Sequence, residues 1–536
     1  MKNRYVIGID YGTLSARAAV VSCEDGSIAG EAEVYYPHGV ITGALADGTP
    51  LGENYALADA GDYRSSLFEC IREAVINSGL DRDSICGIGI AATTYTMVPC
   101  LSDGTVISEL EGFASRPMAY IKLWKHHGAL LQAERIKRLH DERGFFPVLD
   151  YYGNACNCEF AVPKLLETYE EDPEVFARAD FFCDLGEWLA LLLTGKRRLS
   201  LYSAGFKGMW SREGGWPAMT ELEELSPGFS RGFSEKFAGD IADYGSPFGT
   251  LTESCAAVLG LNPGIPVAVP TGDGSSPGLY YCINNPDFIA ITPGTSVAMS
   301  FTAPDCHRIE GINGTVYGGI VPGQWSYDAG TPCAGDMLDW FCRHMVPPET
   351  VKKAEESGLD IHGYLSQAAS AGPWENRLTV LDWFNGNRSI LNNMSLRGGI
   401  LGLSLETSTG ELYCAFIQSI ACSLRTVLEH LEACGIGKKQ PVLCGSMPLK
   451  NSFLTGQIAS VLGREVYVSK AARPTAVSAA ILASTAAGND IHEAARKMAS
   501  AEYITVKPDS SHRREYEELY RRWRRYHDLL GINGEG

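Results

Sequence analysis

The sequence predicts an α/β protein made of two large domains. Three observations lead there. Apolar strands and amphipathic helices alternate along much of the chain. A strand, a Gly turn and a second strand open the chain, and the same unit recurs around residues 267–300, which hints at two related halves. The length, 536 residues, corresponds to about three ordinary domains or two large ones.

The elements follow in order. Tyr5–Ile9 is a short apolar strand. It runs into Asp10-Tyr11-Gly12-Thr13-Leu14-Ser15-Ala16-Arg17, then a second strand over Ala18–Val21 and a third within Ile28–Tyr36. This is a meander rather than strand–loop–helix. Residues 62–79 predict a helix with Leu67, Cys70, Ile71, Ala74 and Val75 on one face. Ile85–Ile90 reads as a buried strand, and residues 119–140 and 183–194 as helices. Val267–Val269 and Phe288–Ile291 are two more strands, each followed by a Gly-containing turn. A long helix over 411–434 precedes a strand (Pro441–Cys444), a helix (Asn451–Leu462), a strand (Glu465–Val468) and an Ala-rich helix (Ala476–Ala486). The last helix, 512–530, carries Tyr516, Leu519, Tyr520, Trp523 and Tyr526 at helical spacing. That stripe can pack on the chain's own C-terminal domain or serve a partner, and the first is expected.

Composition narrows the function. The formal charge is −19, which argues against a nucleic acid or anionic membrane as bulk partner, since both need a positive footprint. The arginines of the last helix are expected to be its solvated face. Sixteen cysteines occur without any CxxC pair, so neither a zinc site nor a disulfide framework is expected. The first residues do not form a signal peptide and no 18-residue apolar window exists. A cytoplasmic protein is expected. The 58 glycines exceed the usual share of about 7%, as tight turns and close backbone–ligand approach would require.

Gly12-Thr13-x-Ser15 lies between two strands, with Asp10 at the end of the first. Backbone N–H groups of such a turn can face phosphate oxygens. Thr13 and Ser15 could add hydroxyls and Arg17 a charge, while the Asp10 carboxylate suits Mg²⁺ or its waters. An ordinary hairpin turn with a capping Asp is the alternative. Gly294-Thr295-Ser296 repeats the chemistry, and Gly445-Ser446 forms a third turn ahead of a helix. Asp273, between Gly272 and Gly274, is placed for a general base, or for a turn Asp bonding its own backbone. No P-loop and no GxGxxG after the first strand is present.

Taken together, these motifs resemble the FGGY carbohydrate kinases, and among them the ribulokinases, from Ile7 to Leu530. The telling pieces are Leu123-Trp124-Lys125-x-His127, Ser203-Ala204-Gly205-x-Lys207-x-x-Trp210, Leu381-Asp382-Trp383-Phe384-Asn385-Gly386-x-Arg388 and Lys450-Asn451. The resemblance implies two actin-like, ribonuclease-H-like ATPase domains with a cleft between them, residues 1–270 (sugar) and 271–536 (nucleotide). It implies ATP and Mg²⁺, and transfer of phosphate to the 5-hydroxyl of a ketopentose, L-ribulose first, as in L-arabinose catabolism. D-ribulose or another ketose or pentitol is the alternative, and a non-catalytic actin- or chaperone-like ATP-binding protein a more distant one. Homodimers are frequent in the family.

By the same resemblance Asp273 is the base, and Thr94, Lys207 and Asp328 line the sugar site. Asp10, Gly12, Thr13, Ser15, Arg17, Gly294 and Thr295 face phosphates or metal, and Gly445, Ser446 and Asn451 the nucleoside. Four departures stand out. Asp328 replaces Glu, Thr94-Tyr95 a pair of small residues, Ala91 an Asp, and Ser446 and Ser478 replace glycines near the expected nucleotide.

Overall fold

The computed structural model describes residues 4–370 and 377–532. Two seven-stranded sheets organise them. In the first, Tyr5–Tyr11 pairs antiparallel with Ser15–Ser22, which pairs antiparallel with Ile28–Tyr35. On its other side Tyr5–Tyr11 runs parallel to Ile85–Ala92. The second sheet repeats the arrangement. Phe288–Pro293 pairs antiparallel with Val297–Ala303, then comes Trp325–Thr331, and Gln440–Leu443 lies parallel on the far side. The recurrence seen in the sequence is therefore a repeated topology.

Both faces of the first sheet are covered, which is why its strands read as continuous apolar runs. Helix Ala60–Ser78 packs on one face, against Ser15–Ser22 and Ile28–Tyr35. The other face receives a helix from far along the chain, Pro474–Ala486. Glycine makes that contact possible. A Cβ at Gly8 would come within 1.8 Å of the Ala476 carbonyl oxygen, and one at Gly89 within 1.9 Å of that of Ala479. At Gly87 it would meet the Ala483 oxygen at 2.6 Å. Ala476, Ala479 and Ala483 fall at helical spacing on one face, so helix backbone lies almost directly on sheet backbone. Helix Ser276–Cys282 packs on both Pro474–Ala486 and the strands of the second sheet. The two helices thus lie between the two sheets.

Ser478 belongs to this layer. It is fully buried and donates its hydroxyl to the Ser276 carbonyl at 2.7 Å. The expectation that it stands near the nucleotide is corrected: it ties the two central helices together.

A smaller four-stranded sheet (Leu57–Ala58, Ile121–Lys122, Met97–Cys100, Phe181–Asp184) and an aromatic-rich core extend the first half. Here the expected helix over 119–140 shrinks to Leu130–Arg143. Residues before it form the short strand Ile121–Lys122 and a loop. The carbonyls of Leu123 and Trp124 accept bonds from a buried lysine instead of helix N–H groups. Tyr516, Tyr520 and Trp523 of the last helix, Arg513–Ile532, are buried in the C-terminal core, so that stripe packs internally.

Gly8→Val is expected to destabilise the protein by about 3 kcal/mol, because a side chain there must push the helix off the sheet. Denaturant unfolding measures this; an unchanged midpoint would disprove the close packing.

Candidate active site

Strand register builds the site. Tyr5–Tyr11 and Thr271–Gly272 flank Ile85–Ala92, with Asp10 and Thr271 both level with Ala91. The Asp273 N–H donates to the Ala92 carbonyl at 2.9 Å, which fixes Asp273 just past the strand ends. Ala91, where an Asp is usual in the resembling family, is a buried position in the middle strand. Desolvation, the nearby Asp10 charge second, pushes the Asp273 carboxyl up to about 7. The Gly274 N–H, donated to it at 2.6 Å, and the Lys207 charge oppose the rise. A carboxyl near 7 suits a group that must take up a proton at neutral pH.

Asp273 lines a cavity of about 190 Å³ together with Thr13, Thr94, Lys207, Asp328 and Arg388. The three residues expected at the sugar are therefore gathered around the expected base. Each is fixed by its surroundings. Asp328 accepts from the Ser275 hydroxyl at 2.8 Å and from the Asn313 amide at 2.9 Å. Lys207 pairs with Glu159 at 2.8 Å. Thr94 donates to the Tyr202 hydroxyl at 3.3 Å.

Tyr95, by contrast, does not enter the cavity. It is buried among the aromatics near Phe237, with φ of 51°. Its N–H is held by Asp184 at 2.6 Å and its carbonyl by Lys164 at 2.8 Å. Lys164 is fully buried and also donates to the Leu123 carbonyl at 2.7 Å. Burial brings its ammonium down to about 7, with the Lys207 charge the next contributor. One buried lysine thus joins the Thr94–Tyr95 segment to the Trp124 loop. Trp124 in turn donates its indole N–H to the Thr13 hydroxyl at 3.1 Å, connecting the sugar side to the first Gly turn.

Each Gly turn is closed by a hydrogen bond from its glycine, three residues forward in the first and two in the second. The Gly12 N–H donates to the Ser15 carbonyl at 3.0 Å, and the Gly294 N–H to that of Ser296 at 2.8 Å. A Cβ at Gly12 would find its nearest neighbour 3.5 Å away, and one at Gly294 at 3.9 Å. Protein packing therefore does not demand glycine at either place. Open space lies beside both turns. Gly294 and Thr295 also line a second cavity of about 870 Å³, with Leu14, Asp336, His362, Met447 and Asn451 among its walls.

Two expected ligands, Ser15 and Arg17, are placed differently. The Ser15 hydroxyl donates to Glu33 at 3.1 Å, turned away from the turn. Arg17 pairs with Glu33 at 2.9 Å and lies 3.6 Å from Asp10. It is shared between the two carboxylates, and its Nη1 lies 3.9 Å from where a Cβ at Gly12 would stand. Asn451 spends its side-chain oxygen capping helix Ser452–Leu462, at 2.9 Å from the Leu454 nitrogen, although it still lines the large cavity. Gly445 and the exposed Ser446 stand just ahead of Met447, at the start of helix Ser446–Lys450. Glu159, Tyr202 and Arg388 were not anticipated as site residues. Arg388 and Trp124 sit in quoted motifs; Glu159 carried no sequence signal.

A cavity with a proton acceptor and a nucleotide-sized cavity share one Gly turn. Such an arrangement defines a phosphotransferase acting on a small polyhydroxylated acceptor. Comparison with known proteins agrees. The N-terminal domain of the FGGY family of carbohydrate kinases matches residues 5–279, and its C-terminal domain residues 289–487. A ribulokinase of Shouchella clausii is 35% identical, covering 98% of this chain and 95% of its own. One from Mycolicibacterium smegmatis is 36% identical, covering 99% and 94%. Among solved structures, a xylulose kinase from Rhodospirillum rubrum superposes with a TM-score of 0.76 at 20% identity, covering 99% of this chain and 100% of that one. A glycerol kinase from Plasmodium falciparum with ADP gives 0.73 at 15%, covering 97% of each. The chain belongs to the FGGY family of carbohydrate kinases. It is a sugar kinase with ATP as phosphate donor. Among the described residues no helix is long and apolar enough to cross a membrane.

Gly294→Ala is expected to fold with an unchanged melting temperature and to raise the KM for ATP about tenfold, since the added methyl meets ligand rather than protein. An unchanged KM would refute a phosphate over this turn.

Proposed function

We propose that the chain transfers the γ-phosphoryl group of ATP to the 5-hydroxyl of a ketopentose, L-ribulose first among candidates. The observation that carries this reading is Asp273, desolvated beside Asp10, in the cavity that Thr94, Lys207 and Asp328 also line. The ribulokinase names of the full-length relatives support the choice of ketose.

In this reading the 5-hydroxyl lies within hydrogen-bond reach of Asp273. As the hydroxyl oxygen attacks the γ-phosphorus in line, its proton passes to the carboxylate and the bond to the ADP oxygen breaks. Lys207 and Asp328 orient the other hydroxyls by donating and accepting hydrogen bonds, which places the reacting atoms before the chemistry. Thr13, Gly294 and Thr295 face the phosphates. Leu14 and Asn451, on the walls of the large cavity, frame the nucleoside.

A Mg²⁺ ion fits the donor chemistry at one place. Asp10 is a partly exposed carboxylate beside the first turn, with the Asp273 carboxylate close enough to feel its charge. Hard oxygen donors of this kind would hold the ion directly or through its waters. When bound, it would neutralise charge on the transferring phosphates.

Asp328 also keeps a second acceptor in view. Its side chain is a methylene shorter than Glu and is held by Ser275 and Asn313, so D-ribulose or another ketose or pentitol is the second candidate. A panel of ketopentoses and pentitols with ATP and Mg²⁺, read by ADP release, decides. No sugar-stimulated release would refute the proposal. A homodimer, frequent in the family, is part of the same proposal and is read by light scattering.

Asp273→Asn is expected to lower kcat by about 10²–10⁴ while sugar and ATP still bind. The wild-type acid limb follows from the raised carboxyl. Below about 7 Asp273 is protonated and cannot accept the proton, so kcat/KM for sugar falls as pH drops through that region. A profile flat down to pH values near the ordinary range of Asp, about 4, would contradict this.

A further inference from the structure

Of the residues in the motif Leu381–Arg388, only the last reaches the sugar cavity. We propose that Arg388 is a substrate-contacting residue, a cation that the C-terminal half supplies to the sugar site and that a single buried carboxylate holds in place. This rests on the sugar-kinase reading above and assigns a further residue to its acceptor site. The ligand chemistry is the oxygen array of a polyhydroxylated sugar.

The holding group is Glu159, which is 1% exposed. Its Oε2 accepts from Lys207 at 2.8 Å and its Oε1 from Arg388 Nη2 at 3.0 Å. His127 lies 3.4 Å from the same Oε1. Arg388 first, then Lys207, keep the Glu159 carboxyl well below the usual range in spite of burial. One carboxylate therefore pairs with two basic side chains, each with donors left over. Lys207 comes from the first half of the chain and Arg388 from the second, and both line the cavity.

A purely structural ion pair would leave Arg388 satisfied. It does not. Arg388 is only 7% exposed, yet its Nε is buried without any hydrogen-bond partner in the protein. An orphaned guanidinium donor is costly, so hydrogen bonding within the protein does not account for the placement of Arg388 at the cavity wall. The guanidinium also lies 5.8 Å from the centre of the Trp124 ring, so it stands between the base-side wall and the loop that reaches Thr13.

The loop that presents Arg388 is rigidly built. Asn387 and Asn393 exchange two backbone hydrogen bonds of 2.8 Å each. The Asn387 side chain accepts from the Leu391 N–H at 3.0 Å, and the Ser389 hydroxyl accepts from the Gly330 N–H at 3.2 Å. This fixes Arg388 relative to the strand that carries Asp328. The asparagine and the arginine of the motif thereby have distinct tasks: one closes the loop, the other is displayed by it.

The test compares wild type, Arg388→Met and Arg388→Lys, each with KM and kcat for sugar and for ATP, and with calorimetric sugar binding. Arg388→Met is expected to raise the sugar KM and the sugar Kd about tenfold or more. The ATP KM should stay near wild type, while the melting temperature falls because buried Glu159 loses one of its two cations. Arg388→Lys, which keeps the charge but loses the planar fork, should fall between. An unchanged sugar KM would overturn the proposal. So would equal losses for sugar and ATP, which would make the residue a connector of the two halves only. If Arg388→Met does not fold, Arg388→Lys alone decides by the same ratio. A wild type that binds and phosphorylates sugar beside an indifferent Arg388 variant removes this inference alone. A wild type that binds no sugar removes the proposed function with it.

Discussion

Backbone lying directly on backbone fixes this molecule. Helix Pro474–Ala486 can press its Ala476, Ala479 and Ala483 turns onto the first sheet only because Gly8, Gly87 and Gly89 carry no side chain. That contact ties a helix from far along the chain to the strand that carries Asp10 and to its parallel neighbour, Ile85–Ala92. It also sets the second sheet, through helix Ser276–Cys282, on the far side of the same layer. The cavity between the halves follows from this arrangement, and so does the gathering of Asp273, Lys207 and Asp328 around it.

Charge within the site is handled locally. The chain as a whole carries −19, yet a phosphate-transferring site needs positive potential. In the proposed function, the neutral backbone turns at Gly12 and Gly294, which leave open space beside them, would receive the phosphates. The fixed cations lie instead around the sugar cavity, where Glu159 pairs with two of them. Arg17, which looked available for phosphate, compensates Asp10 and Glu33. Desolvation then raises Asp273 towards neutrality instead of lowering it, which is the direction a proton acceptor needs.

Much of the fold was legible because its signals are local. Strand Tyr5–Tyr11 with its turn, the Ala-rich helix and the strand before Gly294 all declare themselves in short apolar runs. The repeat of strand, Gly turn and strand correctly hinted at a repeated topology. Residues 119–129 misled because the carbonyls of Leu123 and Trp124 answer to Lys164, a partner about forty positions away. Ser478 misled because helix packing, not a ligand, decides its place. In the site, Asp273 could be read from its flanking glycines, and Lys207 and Asp328 from family motifs. Glu159 could not, since its role depends on cations brought from both halves of the chain.

In the proposed reaction the Gly12 and Gly294 turns hold phosphate in line with a sugar hydroxyl that Asp273 deprotonates. A structure with bound sugar and a non-hydrolysable ATP analogue tests it most directly. The expected result places the terminal phosphate over Gly12 and Gly294 and a single sugar hydroxyl about 3 Å from the Asp273 carboxylate, in line with that phosphorus. A sugar whose hydroxyls all lie beyond hydrogen-bond reach of Asp273, with the nucleotide in place, would contradict it.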